Sequence, residues 1–320
     1  MSTPIGNPPF FCRVTGLGIS PEQPFYILGV MHHQTELDYP PQVVETIKNC
    51  DVLVVEQLLL NDLDTLRRLD GEVTSLLQLK FRNRDIEWLG SQMQKLGYSG
   101  ENLQTNLSFI ESKLTEFQSD SESWSLSLTA EKKDKIQTIL KKYGLSLEGL
   151  HPFFVAATIA QEKRFCFQER VTTIEISFLK HFAKTGRLSQ ELEDFTNVSL
   201  IIMINTFVNY TLNSVCPVDY EEKMNARLEL MESQTQLDTL PYEYLQDYYH
   251  RLGKGEIISE DSPATIYRNT QWYTKLGDLI FQNAANPRST AIVVGAGHVV
   301  APTGILNFLR QMAGLTIEKL

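Results

Sequence analysis

The sequence predicts an α/β fold in which strands from both ends of the chain form a central β-sheet flanked by helices, with a large helical middle region. Short runs of β-branched and aromatic residues occur near both ends of the 320-residue chain, bounded by glycine or proline. Between about 61 and 250, apolar residues instead recur at helical spacing between polar joints. The length admits one large domain or two smaller ones. Because the segments at both ends look like parts of one sheet, we expect a single domain over residues 1–320.

The first elements follow from local patterning. Phe10 to Val14 and Phe25 to Met31 flank a turn rich in glycine and proline, which predicts a β-hairpin with a long loop. PPQVVETIKNC then opens with two prolines and has apolar residues at helical spacing, and DVLVVEQ follows as a short β-branched run. The predicted order is strand, helix, strand.

The remaining elements are a long helical region and, at the C-terminus, further strands of the sheet. The most apolar run of the helical region, Val198 to Leu212, contains Asn205 and Asn209. It falls short of the roughly 18 uninterrupted apolar residues that cross a membrane. We expect a buried helix there and no membrane span. From Ser289 onward the pattern is strand, glycine turn, helix and strand.

Composition excludes some partners and indicates a compartment. The net charge of −10 argues against nucleic acid as a partner, because binding phosphates requires a basic face. The first twenty residues lack the apolar core of a secretory signal. We expect a protein that acts in the cytoplasm or is exported without a cleaved signal peptide. The cysteines are widely spaced and form no CxxC pair, which predicts reduced, buried thiols at Cys12, Cys50, Cys166 and Cys216.

Polar side chains follow three predicted strands where each strand ends. GVMH (29–32) closes the second strand, GAGH (295–298) closes the late strand, and Glu56 follows DVLVV. Ligands of open α/β sheets bind at the carboxyl ends of the strands. His32, His298 and Glu56 therefore predict a metal site of two histidines and one carboxylate, with positions open for water and substrate.

Single histidines and glutamates after strands are common as ordinary hydrogen-bonded residues, but the duplicated GxxH motif favours function. Gly29, Gly295 and Gly297 allow close approach of the backbone and unusual φ values beside the histidines. His33 is a weaker candidate than His32, because neighbours in a strand point to opposite faces. We assign structural roles to the remaining histidines, His151, His181 and His250.

The GAG turn also permits a nucleotide-binding interpretation. It follows a strand, and Glu318 lies downstream where a ribose-binding acid would. Val300, however, stands where a third small residue is needed, and the chain after Gly297 is too short to complete a dinucleotide fold.

The segment IYRNTQW adds an arginine to the candidates. If Tyr267 to Phe281 is a helix, Arg268 and Trp272 share one face and Arg268 points inward. An inward arginine needs an anionic partner, either a carboxylate such as Glu56 or an oxyanion on the substrate. The alternative is an arginine whose stem lies along the helix while its head reaches water.

Four segments together resemble the TraB/GumN family, which includes the Tiki metalloproteases: FYILGVMHHQ, CDVLVVEQ, IYRNTQW and the C-terminal segment from AIVVGAGH onward. GLHPFFVAA and TIEISFLKHFAKTGRLSQELED are similar to middle segments of the family, which places Glu175 and Glu193 at matching positions. The resemblance spans nearly the whole chain. It implies one α/β domain related to the erythromycin esterase and ChaN-like proteins.

The resemblance also implies a function, a metalloprotease-like hydrolase that acts on peptide or protein substrates. His32, His298 and Glu56 would hold a divalent ion, manganese or cobalt, and act in catalysis together with Arg268 and Asn269. The residues expected to contact substrate or support the ligands are Gly29, Gly295, Gly297, His33, Glu175 and Glu193.

Two alternatives stay open. One is a metal-independent, esterase-like hydrolase in which His32 is the general base and Glu56 orients it. The other is a non-catalytic, ChaN-like protein that binds a ligand or a partner. The oligomeric state does not follow from the sequence.

Overall fold

The structure is a computed structural model that describes residues 10–32, 34–114, 124–212, 251 and 262–320. The chain divides into two compact units. Unit 1 consists of Met1–Asn61, Gln168–Asp194 and Thr239–Leu320, and unit 2 consists of Asp62–Phe167 and Phe195–Asp238. Unit 1 contains the sheet, and the described part of unit 2 is helical.

Unit 1 is built on a six-stranded sheet with the strand order β4-β3-β5-β2-β1-β6. The strands are Phe11–Gly16 (β1), Phe25–Val30 (β2), Val52–Val55 (β3), Leu188–Glu191 (β4), Thr290–Gly295 (β5) and Leu315–Lys319 (β6). β2, β5, β3 and β4 are parallel, whereas β1 pairs antiparallel with β2 and β6. The predicted hairpin and the sheet formed from both ends of the chain are confirmed.

Helices make up most of the rest of the described chain. The longer ones are Pro41–Lys48 (α1), Leu63–Arg82 (α2), Ile86–Lys95 (α3), Gly100–Leu114 (α4), Ala130–Lys142 (α5), Pro152–Arg170 (α6), Ile174–Thr185 (α7), Phe195–Leu212 (α8) and Pro263–Ala285 (α9). Two shorter helices follow β5, Ala296–Val300 (α10) and Ile305–Gln311 (α11). Short 3-10 turns occur at Glu36–Asp38 and Leu58–Asn61.

Both faces of the sheet in unit 1 are covered by helices. Alternate residues of the parallel strands enter opposite hydrophobic cores: Ile292 packs with Trp272 of α9, whereas its neighbour Val293 packs with Ile47 of α1 and Phe178 of α7. Because both sides of these strands are buried, their sequences are apolar throughout. The result is a three-layer α/β arrangement.

Two elements differ from the sequence prediction. β4 lies inside the region predicted to be helical, and it pairs parallel with β3. Its sequence LSQE contains no β-branched residue and its side chains are half-buried or exposed, so the pairing rather than a local pattern makes it a strand. His298 lies in helix α10, which begins directly after β5, and not in a glycine turn.

The apolar run expected to be a buried helix forms the greater part of α8, with Ile204 and Val208 fully buried. No helix in the described part of the chain is long and apolar enough to cross a membrane. Cys12 and Cys50 are buried thiols as predicted, but Cys166 is only half-buried. Its Sγ donates to Glu162 Oε1, one helical turn earlier in α6, at 3.4 Å. Cys216 lies outside the described residues.

Unit 2 buries an ionic cluster around Glu162 of α6, whose side chain is 0% exposed. Its carboxylate accepts hydrogen bonds from Arg67 Nε (2.8 Å) and Nη2 (3.2 Å), Lys142 Nζ (2.5 Å) and the Tyr143 hydroxyl (3.0 Å). Burial alone would raise the pKa of Glu162, but the bonds from Arg67 and Lys142 outweigh it and lower that pKa. The cluster ties α2, α5 and α6 together.

His151 is expected to make unit 2 less stable in mild acid. Its Nδ1 accepts the backbone N–H of Phe153 at 3.2 Å, and burial lowers its pKa to about 3. Between pH 6.5 and about 3, His151 is protonated in the unfolded chain but stays neutral in the folded chain. The free energy of unfolding therefore falls as the pH drops from 6.5 toward 3. Urea unfolding at pH values between about 7 and 5 measures this slope. His151→Asn, which keeps an acceptor that does not titrate in this range, should flatten the slope, and an unchanged slope would contradict this role for His151.

Candidate active site at the carboxyl ends of the parallel strands

The parallel strands of unit 1 end at one edge of the sheet. His32 lies two residues after β2, Glu56 directly after β3, Glu193 two residues after β4, and His298 in the first turn after β5. Parallel pairing therefore brings together side chains that are far apart in sequence, as the sequence predicts for His32, Glu56 and His298.

Glu56 lies at the centre of this group. Its Oε2 accepts a hydrogen bond from Arg268 Nη2 at 2.8 Å, and its Oε1 accepts the backbone N–H of Gly295 at 2.5 Å. Arg268 thus points inward with the partner expected from the sequence. The Gly295 N–H that a nucleotide phosphate would use is taken by a carboxylate, which argues against the nucleotide-binding interpretation.

Glu193 is the second carboxylate that binds the Arg268 guanidinium. It accepts Arg268 Nε at 2.9 Å and Arg268 Nη2 at 2.5 Å, and the Trp272 indole N–H at 3.1 Å. The Gln57 amide donates to the same carboxylate at 3.4 Å. Two glutamates therefore fix one guanidinium, with the bidentate geometry that arginine and carboxylate favour.

His32 is oriented by Glu175, the second residue of α7. The Nδ1 atom of His32 lies 2.5 Å from Glu175 Oε1, whereas Glu56 Oε1 lies 3.7 Å from Nε2. The metal-independent alternative assigned the orienting role to Glu56, and the structure gives that position to Glu175. The other oxygen of Glu175, Oε2, is buried without a hydrogen-bond partner among the described residues.

His298 is held in a similar way by a neutral amide. Its Nδ1 lies 2.6 Å from Asn269 Oδ1, and Asn269 Nδ2 donates to Thr303 Oγ1 at 3.0 Å. The Trp272 ring packs against the imidazole, with 4.5 Å between ring centroids. Burial lowers the pKa of His298 to about 4, so this imidazole is neutral at pH 7.

The charged groups of the site influence one another. Burial alone would raise the pKa of Glu56, but His32, His298 and Arg268 outweigh that effect and hold the pKa well below its usual range. Burial raises the pKa of Glu193 despite its bonds to Arg268. Burial alone would lower the pKa of Arg268, but its bonds and ion pairs with Glu193 and Glu56 outweigh burial and raise that pKa. Glu56 and Arg268 are therefore ionised at pH 7.

Neighbouring atoms closely approach two glycines whose backbone angles are ordinary. A Cβ atom at Gly295 would lie 2.9 Å from His32 Nε2 and 3.0 Å from Glu56 Oε1. A Cβ atom at Gly29 would lie 2.8 Å from the Cβ of Phe10. The expected close approach of backbone is thus present at both positions. Gly297 lies within α10, and His33 lies outside the described residues.

Replacing Gly295 by alanine should disrupt the site, because the new methyl group would occupy the space between His32 Nε2 and Glu56 Oε1. We expect unit 1 to lose about 1–3 kcal/mol of unfolding free energy through overpacking. Gly277→Ala is the matched control, since a Cβ there meets no atom within 4 Å and alanine suits the interior of α9. Urea unfolding compares the two variants, and equal stability would show that the space beside Gly295 can relax.

A divalent ion fits this donor set in several respects. Each imidazole places Nδ1 against an oxygen, the arrangement that directs Nε2 toward a metal. Two ligands about 2.1 Å from one ion lie at most about 4.2 Å apart, and His32 Nε2 and Glu56 Oε1 are 3.7 Å apart. The missing Cβ of Gly295 leaves open the space beside both atoms. Within the described residues, however, no group of three or more His, Cys, Asp or Glu side chains already surrounds one point as a bound ion requires.

Three neighbours of the site were not assigned a role from the sequence: Trp272, Thr303 and Gln57. The position of Trp272 four residues after Arg268 gave a usable signal, because that spacing places both on one helix face. Thr303 and Gln57 carry no comparable pattern, since their contacts depend on how loops from different strands meet.

These features define a class of protein, a three-layer α/β fold with two histidines, acidic residues and an arginine at the carboxyl edge of its sheet. A comparison with models of protein families matches residues 99–319 to the TraB/PrgY/gumN family. Because this range is more than half of the chain, the protein belongs to that family, as the sequence motifs predict. The matched range includes Arg268 and His298, whereas His32 and Glu56 precede it. No curated protein and no solved structure matches the chain.

Proposed function

We propose that unit 1 is a metal-dependent hydrolase for peptide or protein substrates, with His32, His298 and Glu56 as the ligands of a divalent ion. The observation that carries this proposal is the pair of imidazoles, each held at Nδ1 by an oxygen acceptor, beside an ionised carboxylate. Neutral imidazoles and a carboxylate are ligands that suit manganese or cobalt.

The charge of the site supports a cationic occupant. Glu56, Glu175 and Glu193 are carboxylates, and Arg268 is the cation bonded to two of them. The carboxylates of this group therefore outnumber its one guanidinium. A buried excess of negative charge is unfavourable, and a bound divalent cation would offset it.

Each residue of the site would have a separate role in hydrolysis. A divalent ion at this position would polarise a substrate carbonyl and lower the pKa of water. Glu56 and Glu193 hold Arg268 in place, and its Nη1, which takes no part in these bonds, is the group that we assign to the substrate oxygen. Asn269 and Glu175 hold the two imidazoles in one orientation.

Metal binding itself tests the proposal. Trp272 packs against His298, so Mn²⁺ or Co²⁺ added to chelator-treated protein should quench its fluorescence in a saturable way. His32→Ala and His298→Ala should abolish this quenching while far-ultraviolet circular dichroism stays unchanged, and elemental analysis should find metal in the wild type but not in these two variants. His181→Ala is the matched control, because His181 bonds to the Lys48 carbonyl oxygen away from the site. Equal metal content in all four proteins would contradict the assignment, and haem absorbance would favour the ligand-binding alternative.

One observation favours a second candidate, a metal-independent hydrolase. Glu175 Oε1 lies 2.5 Å from His32 Nδ1, the arrangement in which a carboxylate orients a general base. In that mechanism His32 Nε2 takes the proton of a water molecule. Hydrolysis of a peptide mixture that survives exhaustive chelation and is lost in Glu175→Gln would establish this candidate over the first.

A further inference from the structure

Asn269 holds His298 through an amide group, whose two ends differ in their hydrogen bonding. Its oxygen Oδ1 lies 2.6 Å from His298 Nδ1, and its nitrogen Nδ2 donates to Thr303 Oγ1 at 3.0 Å. Because an amide oxygen only accepts hydrogen bonds, Nδ1 carries the proton of the neutral imidazole. The lone pair of Nε2 is then available to a metal ion or to the proton of a water molecule.

A reversed amide would change which nitrogen of His298 carries the proton. With its nitrogen toward the imidazole, the amide would donate to Nδ1, and the proton of the ring would lie on Nε2. That proton would occupy the atom that we assign to the metal. Glu175 gives His32 no such second state, because both oxygens of a carboxylate accept hydrogen bonds. His298 therefore needs a further residue that sets the direction of its amide partner.

Thr303 lies where a side chain can set that direction. It is on the connection between α10 and α11, and two residues of α9 that are one helical turn apart bind it. Asn269 bonds to its side chain, and the Tyr273 hydroxyl donates to its backbone carbonyl oxygen at 2.5 Å. The Tyr273 ring also stacks on Phe308 of α11, with 4.2 Å between ring centroids. The Thr303 hydroxyl is therefore held beside the amide nitrogen.

The hydrogen bonds of the Asn269 amide matter because only 1% of this residue is exposed. Without the Thr303 hydroxyl, Nδ2 would lose the acceptor that it has in the structure. A buried N–H without an acceptor is tolerated less well than a buried carbonyl oxygen without a donor. The amide would then gain by turning Nδ2 toward His298.

We propose that Thr303 is a positioning residue of the candidate site, whose hydroxyl keeps the Asn269 amide oxygen toward His298 Nδ1 and thereby keeps the proton off His298 Nε2. Thr303 acts through Asn269 and is assigned no contact with substrate or metal. The consequence for metal binding rests on the proposed function, whereas the position of the proton does not.

The first test locates the imidazole proton in metal-free protein. Long-range ¹H–¹⁵N spectra distinguish protonated from unprotonated ring nitrogens, and the His298 signals are identified by their loss in His298→Ala. We expect Nδ1–H in the wild type and in Thr303→Ser, which keeps the hydroxyl. Thr303→Val keeps the shape without the hydroxyl, and it should shift the ratio of the two tautomers about fivefold toward Nε2–H. Thr303→Ala, which also lacks the hydroxyl, should shift it in the same direction if the valine variant does not fold.

The opposite results of this test are equally definite. A proton on Nε2 in the wild type would mean that the hydroxyl donates to a reversed amide, and this would overturn the proposal. The same tautomer in the wild type and in the variants that lack the hydroxyl would overturn it as well.

The second test measures Mn²⁺ affinity from the quenching of Trp272 fluorescence in the same proteins. A proton on Nε2 must leave before a metal ion binds there, so Thr303→Val should bind Mn²⁺ about tenfold more weakly than the wild type. Thr303→Ser should stay within about twofold of the wild type. If the wild type binds no metal while the tautomer follows the hydroxyl, the metal-dependent function fails and the role of Thr303 stands. Weaker binding in Thr303→Ser than in Thr303→Val would mean that the methyl group acts through packing, and would overturn the proposal.

Discussion

Glu56→Gln is expected to reduce hydrolysis by at least about a hundredfold. The amide keeps the shape but removes the charge that faces His32, His298 and Arg268. It also replaces one of the two oxygens that accept from Arg268 and Gly295 by an NH2 group, which is a donor. As a metal ligand, the neutral amide would bind the ion more weakly than the carboxylate, so excess Mn²⁺ or Co²⁺ should restore part of the activity. Initial rates on a peptide mixture, with metal titrated into each protein, measure both effects.

A neighbouring glutamate provides the control for this experiment. Glu191 lies on β4 at the same sheet edge, and its carboxylate accepts the Leu58 backbone N–H at 3.2 Å. Glu191→Gln should keep most of the activity. Loss of activity in Glu56→Gln that no metal restores, together with a wild type indifferent to chelation, would favour the His32–Glu175 mechanism. Full activity in Glu56→Gln would show that the Glu56 carboxylate is needed neither for hydrolysis nor as a metal ligand.

Glu162→Gln is expected to lower the unfolding free energy of unit 2 by about 3–5 kcal/mol. The substitution leaves Arg67, whose side chain is 5% exposed, without the carboxylate that accepts two of its hydrogen bonds. Lys142 loses the same partner. The buried guanidinium of Arg67 would keep only the exposed Asp64, 3.3 Å from its Nη1, as an ion-pair partner among those described, and this poorly compensated charge is the physical cause of the loss.

The exposed pair Arg68–Glu72 on α2 is the matched control, with 2.6 Å between charged atoms and more than half of each side chain accessible. Glu72→Gln should change stability by less than about 1 kcal/mol, because water screens an exposed pair. Urea unfolding and native-state hydrogen exchange in α2 and α6 measure both variants. Similar small losses in the two variants would mean that the Glu162 cluster relaxes or admits water.

The sequence by itself determined the parts of the fold that have a strong local pattern. The hairpin strands, β3 and β5 were predictable from short runs of β-branched and aromatic residues bounded by glycine or proline, and α1 from apolar residues at helical spacing. The helical spacing also placed Arg268 on the face that it shares with Trp272, but whether its guanidinium pointed inward or reached water stayed open until the structure showed its bond to Glu56. The family followed from short motifs in a fixed order, and the match over residues 99–319 confirms it.

Only the tertiary structure decided which partner each polar side chain has. Glu175 rather than Glu56 faces His32 Nδ1, because the backbone N–H of Ile174 bonds to the Gln34 carbonyl oxygen and sets α7 beside that histidine. The strand β4 forms because β3 offers it a parallel edge, although LSQE has little intrinsic strand preference. Contacts of this kind join residues more than a hundred positions apart, so no local periodicity encodes them. They depend on the packing of whole elements, which fixes distances that local sequence leaves undetermined.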